Sequence, residues 1–444
     1  MKRGAQVIII GAGAAGIAAA RELTARGMRV LILEARDRIG GRVRTEYTSP
    51  GDAVELGAEF VHGRINASWP LLRKHRLTVV DVPDRHLLLD GEKLRDSGDL
   101  WSEVEKIFSR MRHAEDGLTF LEFLKRHCGG AKLAHARRAA IAYVEGFHAA
   151  RIDRIGVAAL MQAEAEAEAT DGDRSYRIVN GYVQFLQRIV DSLPPRRVTL
   201  RLNTVVEKIA WTRGGVRVHA RTAAGKRLPV LHARRAIITL PLGVLQAGAV
   251  KFEPELPQRH RDAIEKLAMG TVVRIALRFK EAFWEDPALA KKYKVDLTKI
   301  GFIHSPGDPF LAWWTALPVR NPVITAWTAG PRGAELVSWK AEDVRLLALH
   351  WLARMFGTTY RRVRGLLESW HYHNWSADPY ARGAYSYVPA DAAGAPKQLG
   401  RSIAGTLYFA GEATDTSGDS GTVHGAIKSG QRVAAEILRQ RKRN

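Results

Sequence analysis

The first apolar run, Val7-Ile8-Ile9-Ile10, stops abruptly at Gly11-Ala12-Gly13-Ala14-Ala15-Gly16. A short unbroken apolar run that ends at glycine reads as a strand buried on both faces. The Ala-rich stretch that follows, to about residue 26, has helical composition. Val30-Leu31-Ile32-Leu33 then repeats the buried-strand pattern and ends at Glu34. Strand, glycine turn, helix and strand in this order begin a parallel α/β sheet. Further strands are expected at 198–202, 205–209, 216–218 and 235–240, and at Val272–Phe279 and Val323–Ala329. Helical spacing marks 101–111, 120–126, 257–267 and 343–356, and a last helix from about Gly421. Residues 163–169 alternate Ala and Glu as a strand would alternate, but both residues are poor strand formers, so helix or loop is expected. No repeat of 20–50 residues is visible.

The glycine turn has the chemistry of a dinucleotide site. Gly11 allows the tight turn, Gly13 lets backbone approach a pyrophosphate, and Gly16 lets helix and strand pack closely. Ala14 and Ala15 begin a helix whose N-terminal N–H groups and dipole favour phosphate. Glu34, about 20 residues on, can accept from a ribose diol, whereas an arginine there would suit a 2′-phosphate. After it comes Ala35-Arg36-Asp37-Arg38-Ile39-Gly40-Gly41-Arg42, a glycine pair between arginines. Adjacent glycines permit close backbone approach to a second phosphate or a ring, and Arg36 and Arg42 supply donors to anionic oxygen.

At this point the chain resembles the flavin-dependent amine oxidase family, which includes monoamine oxidases, polyamine oxidases and flavin-type histone lysine demethylases. The resemblance continues through Glu55-Leu56-Gly57-Ala58-Glu59-Phe60-Val61-His62-Gly63, Asn180-Gly181-Tyr182, Ile238-Thr239-Leu240-Pro241 and Phe283-Trp284. It includes Trp375-Ser376-Ala377-Asp378-Pro379-Tyr380-Ala381-Arg382-Gly383-Ala384-Tyr385, Leu407-Tyr408-Phe409-Ala410-Gly411-Glu412-Ala413-Thr414 and Thr422-Val423-His424-Gly425-Ala426. The Trp375 and Thr422 blocks are most similar to the polyamine oxidase and demethylase branch.

The resemblance implies an α/β fold. A Rossmann-type FAD-binding domain would be assembled from 1–84, 179–250 and 386–444. A mixed α+β substrate-binding domain would come from 85–178, expected to be helix-rich, and 251–385. It implies FAD held by Gly11, Gly13, Ala14, Ala15, Gly16, Glu34, Ala35, Arg36, Gly41, Arg42, Gly57, Ala58, Glu59, Val206, Trp375, Gly411, Glu412, Thr422 and Val423. FAD should be bound non-covalently, because the position before the cage tyrosine, a flavin-bearing cysteine in monoamine oxidases, is Ala384. Cys128, the single cysteine, lies in a helical insert.

The implied reaction takes a hydride equivalent from the carbon next to an amine nitrogen. The imine hydrolyses, and O2 reoxidises the flavin to give hydrogen peroxide. Tyr385 and Thr422 are expected to flank the reacting amine, with Trp375 in the pocket wall. The aromatic face of Tyr385 would attract an amine. Glu59 would draw a cationic substrate and His62 would contact a secondary amine, unless both are hydrogen-bonded supporting groups. The family places a lysine, bonded through water to flavin N5, where Met269-Gly270-Thr271-Val272-Val273-Arg274 puts Arg274. Arginine keeps the charge but does not readily release a proton, so altered reactivity with oxygen is expected. A shifted register would leave Lys280 as the counterpart.

A polyamine or another primary or secondary amine is the expected substrate. An L-amino-acid oxidase would need an arginine for the carboxylate, for which Arg151, Arg154 and Arg382 are available. A non-catalytic flavin-binding protein is the remaining alternative. No tower-like insertion points to a demethylase, and the Trp375 block argues against a desaturase or porphyrinogen-type oxidase.

Composition narrows the setting. The chain has 444 residues, 68 Lys plus Arg against 46 Asp plus Glu, a net charge of +22, and 46% hydrophobic residues, which is ordinary globular usage. The charge is spread along the chain without a nucleic-acid motif, so no specific nucleic-acid partner is expected. No apolar run is long enough to span a membrane, and the first strand begins too early for a signal peptide before it. One cysteine excludes an internal disulfide and a cysteine-based metal cluster, and no other metal site is evident. A cytoplasmic enzyme is expected.

Overall fold

The structure is a computed structural model that describes residues 5–49, 51–91, 93–98 and 100–443. Five parallel strands form its nucleotide-type sheet, in the spatial order Val198–Arg201, Val30–Leu33, Val7–Ile10, Arg235–Ile238 and Leu407–Phe409. Val7–Ile10 is central and buried along its length, as its unbroken apolar run requires. The strands expected at 198–202 and 235–240 are reproduced to within two residues, whereas those expected at 205–209 and 216–218 run on to Thr212 and Thr222.

The helix Ala14–Ala25 follows the first strand with no room to spare. A Cβ on Gly16 would stand 2.1 Å from the Gly11 carbonyl oxygen, so glycine there lets the helix turn back over its own strand. On its outer side the last helix, Val423–Arg443, crosses it equally closely. A Cβ on Gly430 would lie 2.2 Å from the Ala15 carbonyl oxygen.

A seven-stranded mixed sheet forms the other half of the architecture. Its order is Leu367–Tyr372, Val272–Phe279, Val323–Ala329, Ala312–Thr315, Phe302–His304, His86–Asp90 and Lys93–Asp96. The last two strands open a segment expected to be helix-rich. They hold their place because His86–Asp90 pairs in parallel with Phe302–His304, a partner that no local pattern reveals. Ser175–Ile178 similarly joins the edge strands Phe60–His62 and Val79–Asp81. The Ala–Glu segment is helical, within Val157–Ala169, and only Val157 and Leu160 of that helix are buried.

Strand Val272–Phe279 shows how the second half serves the first. Val273, Ile275, Leu277 and Phe279 enter the core of the large sheet. The alternation of a strand then turns Val272, Arg274, Ala276 and Arg278 the other way. There Ala276 packs on Val54 and Leu56, and Arg278 reaches Asp52 at 3.2 Å. Among the described residues no helix is long and apolar enough to cross a membrane.

Candidate active site

A cavity of about 1770 Å³ is lined both by the carboxyl ends of the parallel strands and by the large sheet. Pockets for drug-sized ligands measure roughly 300–1,000 Å³, so this larger space suits a dinucleotide with a second molecule beside it. Ile10, Gly11, Gly13, Ala14 and Ala15 form one wall. Gly11 has φ +107°, a conformation that favours glycine. The helix beginning at Ala14 has Gly13 as its N-cap, with no side-chain cap and no acid in its first turn. Its leading N–H groups are therefore left for an anion.

Glu34 is buried beside this wall. Its Oε2 accepts from the Ala12 N–H at 2.8 Å and its Oε1 from the Arg36 N–H at 3.0 Å. A carboxylate has about four acceptor sites, so capacity remains for a diol. Glu412, also buried, accepts from Arg42 at 2.8 Å, from the Ser386 hydroxyl at 2.6 Å and from the Gly421 N–H at 3.0 Å. It locks the glycine-pair segment to the C-terminal block. Ala35, Arg36, Gly41, Arg42, Gly57, Ala58, Val206, Gly411 and Val423 line the same cavity. Gly16 does not; its place is the helix–strand contact. An uncapped helix start, a free acceptor on Glu34 and a cradle of glycines fit the dinucleotide part of FAD.

Arg36 is itself clamped. Its guanidinium donates to both Asp378 oxygens at 2.7 Å and lies 5.3 Å from the Tyr380 ring centroid. His373 approaches the same carboxylate at 2.8 Å, and these partners hold the Asp378 carboxyl well below its ordinary range despite burial. The Asp378 network was not legible from the local sequence pattern.

The amine-side candidates come together in the remainder of the cavity. The Tyr385 hydroxyl donates to the Phe147 carbonyl at 2.6 Å, and burial pushes its pKa up. A Cβ on Gly421 would touch the Tyr385 ring at 3.1 Å, which puts the ring beside the Thr422 segment. The Thr422 hydroxyl donates to the Asp419 carbonyl at 2.7 Å and accepts from the Gly425 N–H at 3.0 Å, capping the last helix. Trp375 donates its indole N–H to the Leu56 carbonyl at 2.7 Å. Cys128 is buried among helices and is not part of the lining, whereas Ala384 is.

Arg274 lines the cavity but is pinned. It donates to the Gly57 carbonyl at 2.8 Å and to Glu59, and lies 5.4 Å from the Trp314 ring centroid. Burial lowers its pKa to about 10. Arg177 binds the other Glu59 oxygen, and the Trp314 indole N–H donates to Glu59 at 3.0 Å. Glu59 thus lies between two guanidinium groups, which corrects the expectation that it draws a cation: its charge is already matched. Lys280 lies outside the cavity, exposed, and donates to the Gly365 carbonyl at 3.1 Å.

His62 lines the cavity with its Nδ1 3.2 Å from the Ser175 hydroxyl. Burial, reinforced by His424, lowers its pKa to about 4, so it is neutral at physiological pH. From Tyr385 an aromatic wall runs outward. Phe147 stacks on Tyr143 at 5.3 Å, and Tyr143 meets Trp101 edge-on at 5.6 Å. Tyr143 donates to Glu164 at 3.3 Å. Burial raises the Glu164 pKa to about 7, and the neighbouring Asp173, Glu105 and Glu168 add to the rise. Glu164 is therefore a cavity carboxylate among like charges, in a chain of net charge +22. Of the possible carboxylate clamps only Arg382 lines the cavity; Arg151 pairs with Asp153 at 2.6 Å.

A carboxyl held protonated by the fold contributes stability that is lost as pH rises through about 7, and a bound cation reverses that loss. The KM of a cationic amine should fall about two- to fivefold as pH rises through this range, an amount typical of a partly exposed ion pair. In Glu164→Gln that step should vanish from the pH profile. A step that persists would assign it to another group.

The profile of the family described as flavin containing amine oxidoreductase matches residues 14–438. Polyamine oxidase 4 of Oryza sativa subsp. japonica is 30% identical over 98% of this chain and 88% of its own length. Lysine-specific histone demethylase 1 homolog 2 of Arabidopsis thaliana is 29% identical over 97% of this chain, which spans only 58% of that relative. Among solved structures, putrescine oxidase bound to putrescine superposes with a TM-score of 0.80 at 20% identity, covering 98% of this chain and 99% of that one. Cyclohexylamine oxidase from Brevibacterium oxydans gives 0.80 at 19% identity, over 99% of this chain and 100% of the other.

Proposed function

Because the chain belongs to the flavin-containing amine oxidoreductases, we propose that it oxidises a polyamine, or another primary or secondary amine, to an imine. The imine hydrolyses to an aldehyde and an amine or ammonia, and O2 takes up the electrons as hydrogen peroxide. The observation that carries this reading is the continuous cavity. It joins the phosphate-type cradle to an aromatic wall that ends at a carboxylate with no ion-pair partner among the described residues.

Bound FAD would accept the hydride equivalent from the carbon beside the amine nitrogen. Gly11, Gly13 and the Ala14 helix start would hold its phosphates, and Glu34 its ribose. Tyr385 presents a ring whose orientation is fixed by the Phe147 carbonyl, so an amine is positioned by cation–π attraction or by contact with the face. Neutral His62 adds no positive charge to repel a cationic substrate. With Ala384 before Tyr385 and no cysteine in the lining, FAD is held non-covalently and leaves on denaturation.

Tyr385→Leu should lower kcat/KM for amines about tenfold, the scale of a partly desolvated cation–π contact. Tyr385→Phe, which keeps the ring, should lose much less; equal losses in steady-state assays would move the effect from the ring to the hydroxyl. The direct test is anaerobic bleaching of the purified yellow protein by polyamines, monoamines and L-amino acids. Bleaching by polyamines or simple amines is the expected result. Bleaching by L-amino acids alone would favour the second reading, with Arg382 as carboxylate clamp. Bleaching by none would leave a flavin-binding protein without amine chemistry.

A further inference from the structure

At the outer part of the cavity two histidines meet. The His86 and His304 rings are nearly parallel, 8° apart with centroids at 5.1 Å, and His86 Nδ1 lies 2.8 Å from His304 Nε2. On its other side His86 Nε2 lies 3.0 Å from an Asp84 oxygen. Phe302 stacks on His86 at 4.9 Å, and Trp101 stands edge-on to both imidazoles. Both histidines line the cavity. The proposed reaction uses neither histidine.

The hydrogen bonds in this chain have only one polarity. The Asp84 side chain is 89% exposed and, as a carboxylate, can only accept. His86 Nε2 must then carry the proton, so in the neutral ring Nδ1 is an acceptor. His304 Nε2 must in turn donate to it, which leaves His304 Nδ1 as a lone pair. That nitrogen has no protein partner among the described residues. Burial lowers the pKa of both rings, that of His304 to about 3 with His86 contributing, so both stay neutral at physiological pH.

We propose that Asp84, His86 and His304 form a tautomer-fixing chain that presents His304 Nδ1 to the cavity as the acceptor for the second, distal ammonium of a diamine or polyamine. This rests on the amine-oxidising reading of the site. The aromatic wall connects the two ends: Tyr385 bonds to Phe147, Phe147 stacks on Tyr143, Tyr143 meets Trp101, and Trp101 meets His304 at 6.1 Å. A long diamine or polyamine with its reacting nitrogen at Tyr385 and an extended chain along this wall brings its other nitrogen to His304. Glu164, which accepts from Tyr143, adds a carboxylate beside the same wall. A monoamine has nothing to place there. Asp84 and His86 act through His304 and are positioning residues.

The test compares a long diamine, 1,12-diaminododecane, with dodecylamine in anaerobic flavin reduction by the holoenzyme, which separates apparent Kd from the limiting rate. In His304→Phe the diamine Kd should rise about tenfold or more, as expected for losing a hydrogen bond to a charged group. The limiting rate and the dodecylamine Kd should stay unchanged. Asp84→Ala, at an exposed position, should move the diamine Kd in the same direction by less. 15N chemical shifts of histidine-labelled protein should show His304 protonated on Nε2 and not on Nδ1. A His304 protonated on Nδ1, or equal losses for both amines, would overturn the proposal. If neither amine bleaches the unmutated protein, the amine reading itself falls, and this proposal with it.

Discussion

Glu59→Ala should lower the stability of the folded chain by about 3–5 kcal/mol, the cost of removing one partner from a buried ion pair. The carboxylate is 6% exposed and carries Arg274 on one oxygen and Arg177 on the other. Without it two buried guanidinium groups face each other. Both have pKa values lowered by burial, to about 10 for Arg274 and about 9 for Arg177, yet both remain charged at neutral pH. Arg177 is pushed down further by Arg274, so the repulsion is present even with Glu59 in place. Urea unfolding with an unchanged slope and a lower midpoint is the expected observation. Replacing Arg274 by Met in the Glu59→Ala background should recover part of the loss, because one unpaired charge goes with it. An alanine variant as stable as the parent would mean that water already screens the cluster.

Glu34→Ala should give a protein that purifies with little or no flavin. The substitution removes the acceptor for the Ala12 and Arg36 N–H groups, each of which costs about 1–3 kcal/mol if left buried and unpaired. It also removes the carboxylate that would hold the ribose. FAD affinity should fall about a hundredfold or more, the equivalent of two lost hydrogen bonds to a charged group. The ratio of flavin absorbance to protein absorbance, followed by titration with added FAD, measures this. Full flavin occupancy in the variant would show that the glycine cradle alone suffices.

These two residues were unequally visible in the sequence. Glu34 stands at a fixed distance after a glycine turn, and every partner that defines its role lies in one stretch of chain. Glu59 was singled out for its charge, but that charge is already spent. The residues that neutralise it, Arg177, Arg274 and Trp314, lie 118, 215 and 255 positions away. Local pattern reports local structure, so strands such as Val7–Ile10 and Val272–Phe279 were read correctly. The pairing of His86–Asp90 with Phe302–His304 was not, because it depends on where two remote segments meet. The same applies to His86 and His304 themselves, 218 residues apart. The Thr422 hydroxyl is a further case: the resemblance implied a place at the flavin, and in the structure it also caps the final helix.

The contact between Gly430 and Ala15 sets an order of events during synthesis. The helix Ala14–Ala25 that forms the phosphate cradle leaves the ribosome long before Val423–Arg443, the helix that covers its outer face. At 5–20 residues per second, the early segment waits on the order of 20–80 s for its cover. Over that interval its apolar flank is a surface for holding chaperones. The nucleotide site is complete only once Val423–Arg443 has been made, so FAD would act as a seal on both helices and not as a template for the first alone.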